Sequence, residues 1–213
     1  MIVIITNGYA TQLEAKQWLN MADASLDDLM VDNLVTAASR AVDGYCGRYF
    51  YPDQAATART FLTTDGYCAA IDDVWDTATA VVKTDSGQDG TYETTLTVST
   101  QYIFEPVNGV VAGVGGWPAM RVRLVGGTLF PTATYGRPQL QVTAKWGWTA
   151  VPAPVKQATL QVVGELWKRK DAPFGVLGGQ EFGTIYLSPD AMRSVGSLLA
   201  PYGRASATVG ALA

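Results

Sequence analysis

Between Trp146 and Lys170 the sequence changes period across two prolines, and this change constrains the fold more than any other stretch. Leu140, Val142, Ala144 and Trp146 alternate with Gln139, Gln141, Thr143 and Lys145, the pattern of a strand with one buried face. Val151-Pro152-Ala153-Pro154 then interrupts strand and helix interior alike, although Pro154 suits the first turn of a helix, where its missing N–H is not needed. Val155, Ala158, Thr159, Val162, Val163, Leu166 and Trp167 follow at helical spacing and make one apolar stripe. Lys168, Arg169 and Lys170 fall in the last turn, where cations offset the negative end of the helix dipole. So wide a stripe requires other helices to bury it.

The segments before Gly47 supply them. Residues 1–9 read as an extended apolar arm ending at the turn signal Asn7-Gly8. Thr11 and Glu14 have capping-box spacing and predict a helix from Gln12 to about Asn20. Ser25-Leu26-Asp27-Asp28 opens a second helix with the apolar stripe Met30, Leu34, Ala37, Ala38, Ala41, Val42 and Tyr45, and Gly44 and Gly47 are stop signals. The expected helical core sets Leu34, Ala38, Val42 and Tyr45 against Val155, Val162, Leu166 and Trp167. From about Thr57 to Trp148, Thr, Val and Tyr dominate and turns recur; strands are expected near 58–63, 67–71, 79–84, 92–98, 101–104, 120–125 and 139–146. After a Gly-rich stretch, Ser188-Pro189-Asp190 opens a last helix that ends at Leu198-Leu199-Ala200-Pro201-Tyr202. The expected class is α+β: a small helical bundle body from 10–50 and 150–202, with an antiparallel β-sandwich or barrel-like module inserted at 51–149. The arm at 1–9 and a tail at 203–213 flank it.

Charge and residue usage exclude several functions. The net charge of −4 argues against a protein that grips nucleic acid by neutralising phosphates. Only the part from residue 150 onward carries more Lys and Arg than Asp and Glu, so an acidic partner would meet that part. The absence of histidine removes the commonest general base and metal ligand, and with it any Ser-His-Asp site. Cys46 and Cys68 alone make no zinc site and no disulfide-rich scaffold; two free buried thiols are expected, with a single bridge as the alternative. Asp72, Asp73 and Asp76 could hold a divalent cation, but three acids in a turn are more often a solvated face. Gly175-Val176-Leu177-Gly178-Gly179 lacks the Lys-Ser/Thr ending of a phosphate loop. No catalytic, metal or cofactor-binding residues are assigned, and the chain is expected to be neither an enzyme nor a membrane protein. It is expected to be soluble and made in a cytoplasm.

Several pieces occur in an order that resembles the head-tail connector (adaptor) proteins of tailed bacteriophages, particularly actinobacteriophage-like members with a β insertion. They are Tyr9-Ala10-Thr11 leading to Trp18-Leu19; Ala37 through Phe50; Trp117-Pro118 before a strand; Val142 through Trp148 with Val151-Pro152; Ala158 through Arg169; Asp171 through Gly175; and Leu198 through Tyr202. The resemblance implies a virion structural protein: an adaptor, usually twelve copies in a ring beneath the portal, joining it to the stopper or tail-completion protein. It implies assembly in the host cytoplasm, a place in the neck, and DNA passing through the channel without specific binding. C-terminal elements of the family dock on the portal, which makes Lys168, Arg169, Lys170, Phe174, Arg193, Leu198, Leu199, Tyr202 and Arg204 the candidate docking residues. The alternative is a monomeric β-sandwich module that binds a carbohydrate-type ligand at exposed aromatics such as Trp117 or Tyr135, on a helical base.

Overall fold

The computed structural model describes residues 5, 7–21, 28–63, 65–131, 136–171, 176–179, 183–186 and 192–204. The chain is mixed α+β, and its described residues fall into two compact units: one from residues up to Gly47 and from Val151 onward, the other from Arg48 to Ala150. The openings at Ser25 and Ser188, Phe174 and Tyr135 lie outside the described residues.

The first unit is helical. α1 (Gln12–Trp18) begins at a capping box: the Glu14 N–H donates to Thr11 Oγ1 at 3.2 Å, and the Thr11 N–H donates to Glu14 Oε2 at 2.8 Å. α2 (Asp28–Cys46) ends where Gly47 turns to φ 63° and donates its N–H to the Asp43 carbonyl. α3 (Ala153–Asp171) starts just after Pro152, whose carbonyl accepts from the Lys156 N–H. α2 and α3 pack together, α1 touches both, and the short α4 (Gly196–Leu199) closes on α3. A two-stranded antiparallel ribbon, β7 (Val176–Gly179) with β8 (Gly183–Tyr186), follows α3.

The buried face of α2 differs from the expected stripe. Val31, Val35, Ala38, Val42 and Cys46 are buried, with Ser39 beside them. They belong to the core that also buries Val155, Ala158, Val162 and Val163 of α3 and Leu199 of α4. Leu34 is half-buried and Tyr45 is 48 % exposed, so the expectation that Tyr45 lies in the helical core is corrected. Leu166 and Trp167 are also only half-buried. The physical reason lies in α2 itself, which carries apolar residues on two adjacent faces. Ser39 favours the buried one, because its hydroxyl donates to the Val35 carbonyl and accepts the Tyr9 N–H, so a polar side chain fits inside at little cost.

The second unit is one six-stranded antiparallel sheet in the order β1-β6-β2-β5-β4, with β3 beside β2. The strands are β1 (Thr57–Phe61), β2 (Cys68–Thr84), β3 (Thr94–Thr95), β4 (Tyr102–Glu105), β5 (Ala119–Leu124) and β6 (Leu140–Trp146). The strands expected at 67–71 and 79–84 are the two ends of the 17-residue β2. Its register shifts between Val74 and Val81, so its first part pairs with β5 and its second with β6. Asp76 holds the irregular stretch: its carboxylate accepts from the Ala78 N–H, the Thr79 hydroxyl and the Lys145 ammonium. Ile71, Val74, Val122, Leu140, Val142 and Trp146 lie at the centre of the core on one face of this bent sheet. Gly147 (φ 98°) ends β6 where only glycine fits, since a Cβ there would stand 1.9 Å from the Tyr51 carbonyl oxygen.

Candidate functional site

Within the helical unit, one cleft collects several of the residues singled out in the sequence. Trp18 and Leu19 from the end of α1, Gln161, Gly164 and Lys168 from α3, and Ser194 line a cleft of about 430 Å³. Trp18 is 45 % exposed and rests on Gly164, where a Cβ would come within 3.1 Å of the indole nitrogen. Glu165 and Trp167 complete the lining, giving an apolar floor with one acid and one base at its edge. Such a surface suits a protein side chain with both apolar and polar parts.

The other candidate docking residues divide by exposure. Arg193 and Lys168 are exposed, while Arg169, Leu198, Tyr202 and Arg204 are half-buried. Burial raises the Tyr202 phenol above its ordinary value. Leu199 is fully buried, so it supports this region from inside and does not form its surface; that expectation is corrected. Phe174 and the side chain of Lys170 lie outside what is described.

A second surface was legible only as a stripe. Leu29, Met30, Asn33, Leu34 and Ala37 line a shallow apolar depression of about 490 Å³ on α2, and Leu29 is 50 % exposed. Farther along α2, the Tyr45 hydroxyl oxygen would stand 2.9 Å from a Cβ at Gly196, which ties the exposed phenol to the start of α4.

The segment before α1 is fixed on α2. Tyr9 is buried, its hydroxyl donates to Asp43, and the Arg40 guanidinium lies 5.7 Å from its ring centre. Burial pushes the Asp43 carboxyl above the ordinary aspartate value, against the Tyr9 hydrogen bond and the Arg40 charge. Lys156 donates to Glu14 at 2.8 Å, and this bond, with the Thr11 N–H, holds the Glu14 carboxyl below its ordinary value.

In the β unit, sequence reasoning missed a cage. The Arg48 side chain is buried between two indoles, with its guanidinium 5.4 Å from the Trp117 ring centre and 5.6 Å from that of Trp148. Asp73 approaches it at 3.7 Å and accepts from the Trp148 indole N–H at 3.0 Å. Trp117 is therefore 9 % exposed and offers no ligand platform, contrary to its place in the carbohydrate-type alternative. The acids read as a solvated turn are corrected as well. Asp72 pairs with Arg59 at 2.9 Å, Asp73 sits in the cage, and Asp76 pairs with Lys145 at 3.1 Å. The only local hint of the cage was the Trp-Gly-Trp spacing around Gly147.

Among the described residues no helix is long and apolar enough to cross a membrane, and no group of three His, Cys, Asp or Glu side chains is placed to hold a metal ion. Cys46 is a buried thiol and Cys68 a half-buried one. No family model matches the sequence, and no curated protein is similar to it at a significant level. The fold, however, matches solved structures over nearly its whole length. One is a chain from the neck of an empty gene transfer agent (GTA) particle computed with C6 symmetry: 17 % identity, TM-score 0.56, covering 95 % of this chain and 93 % of that one. Another is a chain from the virion of a native GTA particle, with 18 % identity, TM-score 0.50 and the same coverage. At these identities the likeness is one of fold.

Proposed function

We propose that this chain is a structural subunit of the neck of a phage-like particle. In this reading it is a head-to-tail adaptor that forms a ring under the portal and joins it to the stopper or tail, without enzymatic activity. The observation that carries the proposal is the match to a GTA neck chain across both units, since a shared helical unit alone would be far less specific. The six-fold symmetry of that neck favours a ring, although it leaves the copy number of this chain open. The outward apolar face of α2 around Leu29 and Leu34 is the proposed contact between neighbouring copies. The α3 end with Lys168 and Arg169, together with Arg193, Leu198, Tyr202 and Arg204, is the proposed portal-facing surface. An acidic chain fits a channel through which DNA must slide, because a basic wall would hold the phosphates.

Mixing the purified chain with its cognate portal and imaging the product by electron microscopy tests this reading. Rings seated on the portal are expected, and removing residues 189–213 should abolish docking. A chain that stays monomeric and unbound beside an intact portal would overturn it.

A further inference from the structure

The loop between β2 and β3 plays no part in the proposed assembly role, yet it carries an unusual carboxylate. It reads Asp85-Ser86-Gly87-Gln88-Asp89-Gly90. Asp85 is wholly buried. Its Oδ2 accepts the Gly90 N–H at 2.8 Å, which the loop achieves by turning Gly90 to φ 96°. Its Oδ1 is buried too, and no donor among the described residues reaches it. Asp89 is exposed; its Oδ1 accepts the Thr91 N–H at 2.7 Å, and this bond together with the Thr91 hydroxyl holds its carboxyl below the ordinary aspartate value.

The two remaining oxygens border a common space. If Gly87 carried a Cβ, its three nearest heavy atoms would be Asp89 Cγ at 3.8 Å, Asp85 Oδ1 at 3.9 Å and Asp89 Oδ2 at 3.9 Å. Glycine at this position leaves that space free beside two carboxylates. A buried carboxylate oxygen without a donor is costly, and a bound cation removes that cost. The donors are all hard oxygens on a glycine-containing loop, which suits calcium better than the smaller, geometrically stricter magnesium.

We propose that the Asp85–Gly90 loop is a binding site for a calcium-class divalent cation. Asp85 Oδ1 and Asp89 Oδ2 are its carboxylate ligands, and backbone carbonyls and water complete the shell. With two carboxylates and no third acidic ligand among the described residues, the site belongs at the weak end of the calcium range, roughly 10⁻⁴ to 10⁻³ M. The loop is also held from outside the site: Arg137 donates to the Gln88 carbonyl at 3.3 Å, and the Ser86 hydroxyl donates to Glu93. Cation binding therefore has little loop to order.

Terbium luminescence on the full chain tests this, because the Tyr92 phenol is close enough to Asp85 to feel its charge and can sensitise a lanthanide there. The expected result is sensitised emission that millimolar calcium removes and equal magnesium does not. Asp89→Asn, at an exposed residue, and Asp85→Asn should each weaken calcium competition at least tenfold. Asp89→Asn decides the matter if the buried variant fails to fold. Absent emission, emission unchanged in Asp89→Asn, or equal displacement by magnesium would overturn the proposal.

Discussion

The two units solve the problem of burial differently. In the β unit, charges on the sheet find partners within the unit: Arg59 with Asp53 and Asp72, Lys145 with Asp76, Arg121 and Arg123 with Glu105. Its core is gathered under one face of the sheet. In the helical unit charges are paired as well, Lys16 with Asp28, Arg40 with Asp43 and Lys156 with Glu14, but α2 is apolar on two faces and only one is buried. Leu29 and Tyr45 of this one helix are 50 % and 48 % exposed, whereas exposed large apolar residues of the β unit such as Leu62, Val107, Val114 and Leu129 lie outside its strands. A lone small domain gains nothing from a second apolar helix face. A subunit that must meet neighbours does, because exposed apolar patches mark interaction surfaces.

The comparison breaks most visibly where the β unit is densest. Trp146→Ala removes a 1 % exposed indole that also donates to the Thr57 carbonyl, and should cost about 3–5 kcal/mol in chemical denaturation. Asp73→Ala leaves Arg48 buried beside two indoles without this carboxylate and should cost about 3 kcal/mol or more by the same measurement. In the helical unit, Ala38→Leu overpacks a fully buried position on α2, which should cost about 1–3 kcal/mol. Leu29→Ser, on the outward face, should change stability by no more than about 0.5 kcal/mol while weakening self-association in sedimentation.

The smallest effect is a pH difference between the units. Backbone N–H groups of Tyr67 and Cys68 hold Asp65 below its ordinary value, and hydrogen bonds from Lys145 and Thr79 do the same for Asp76. A depressed carboxyl contributes stability above the ordinary aspartate value of 3.8 and loses it as the pH falls through the lower folded value. Asp43 has the opposite sign: its burial penalty applies when it is charged and is relieved as acid protonates it at its raised value. Hydrogen exchange, corrected for its intrinsic pH dependence, should show β2 losing protection on acidification before the middle of α2. Equal loss in both would remove this distinction.

What the sequence made legible was local. The Thr11–Glu14 cap, the Pro152–Pro154 junction and the alternation in β5 and β6 each rest on neighbours a few residues apart. The face of α2 was not legible, since Met30, Leu34 and Ala37 lie one step from Val31, Val35 and Ala38 and both series have helical period. Ser39 decides between them through its bond to Tyr9, thirty residues away. The long β2 looked like two strands because Asp72, Asp73 and Asp76 resemble a turn until Arg59, Arg48 and Lys145 are brought to them. The Arg48 cage joins positions up to a hundred residues apart, and no spacing rule reaches that far.

A subunit-resolution reconstruction of particles assembled in cells that express this chain tests the proposed neck role most directly. The account predicts a closed ring of this chain between portal and tail, with the Leu29–Leu34 face of α2 covered by the next copy. A neck without the chain, or a ring in which that face remains open to solvent, would contradict it.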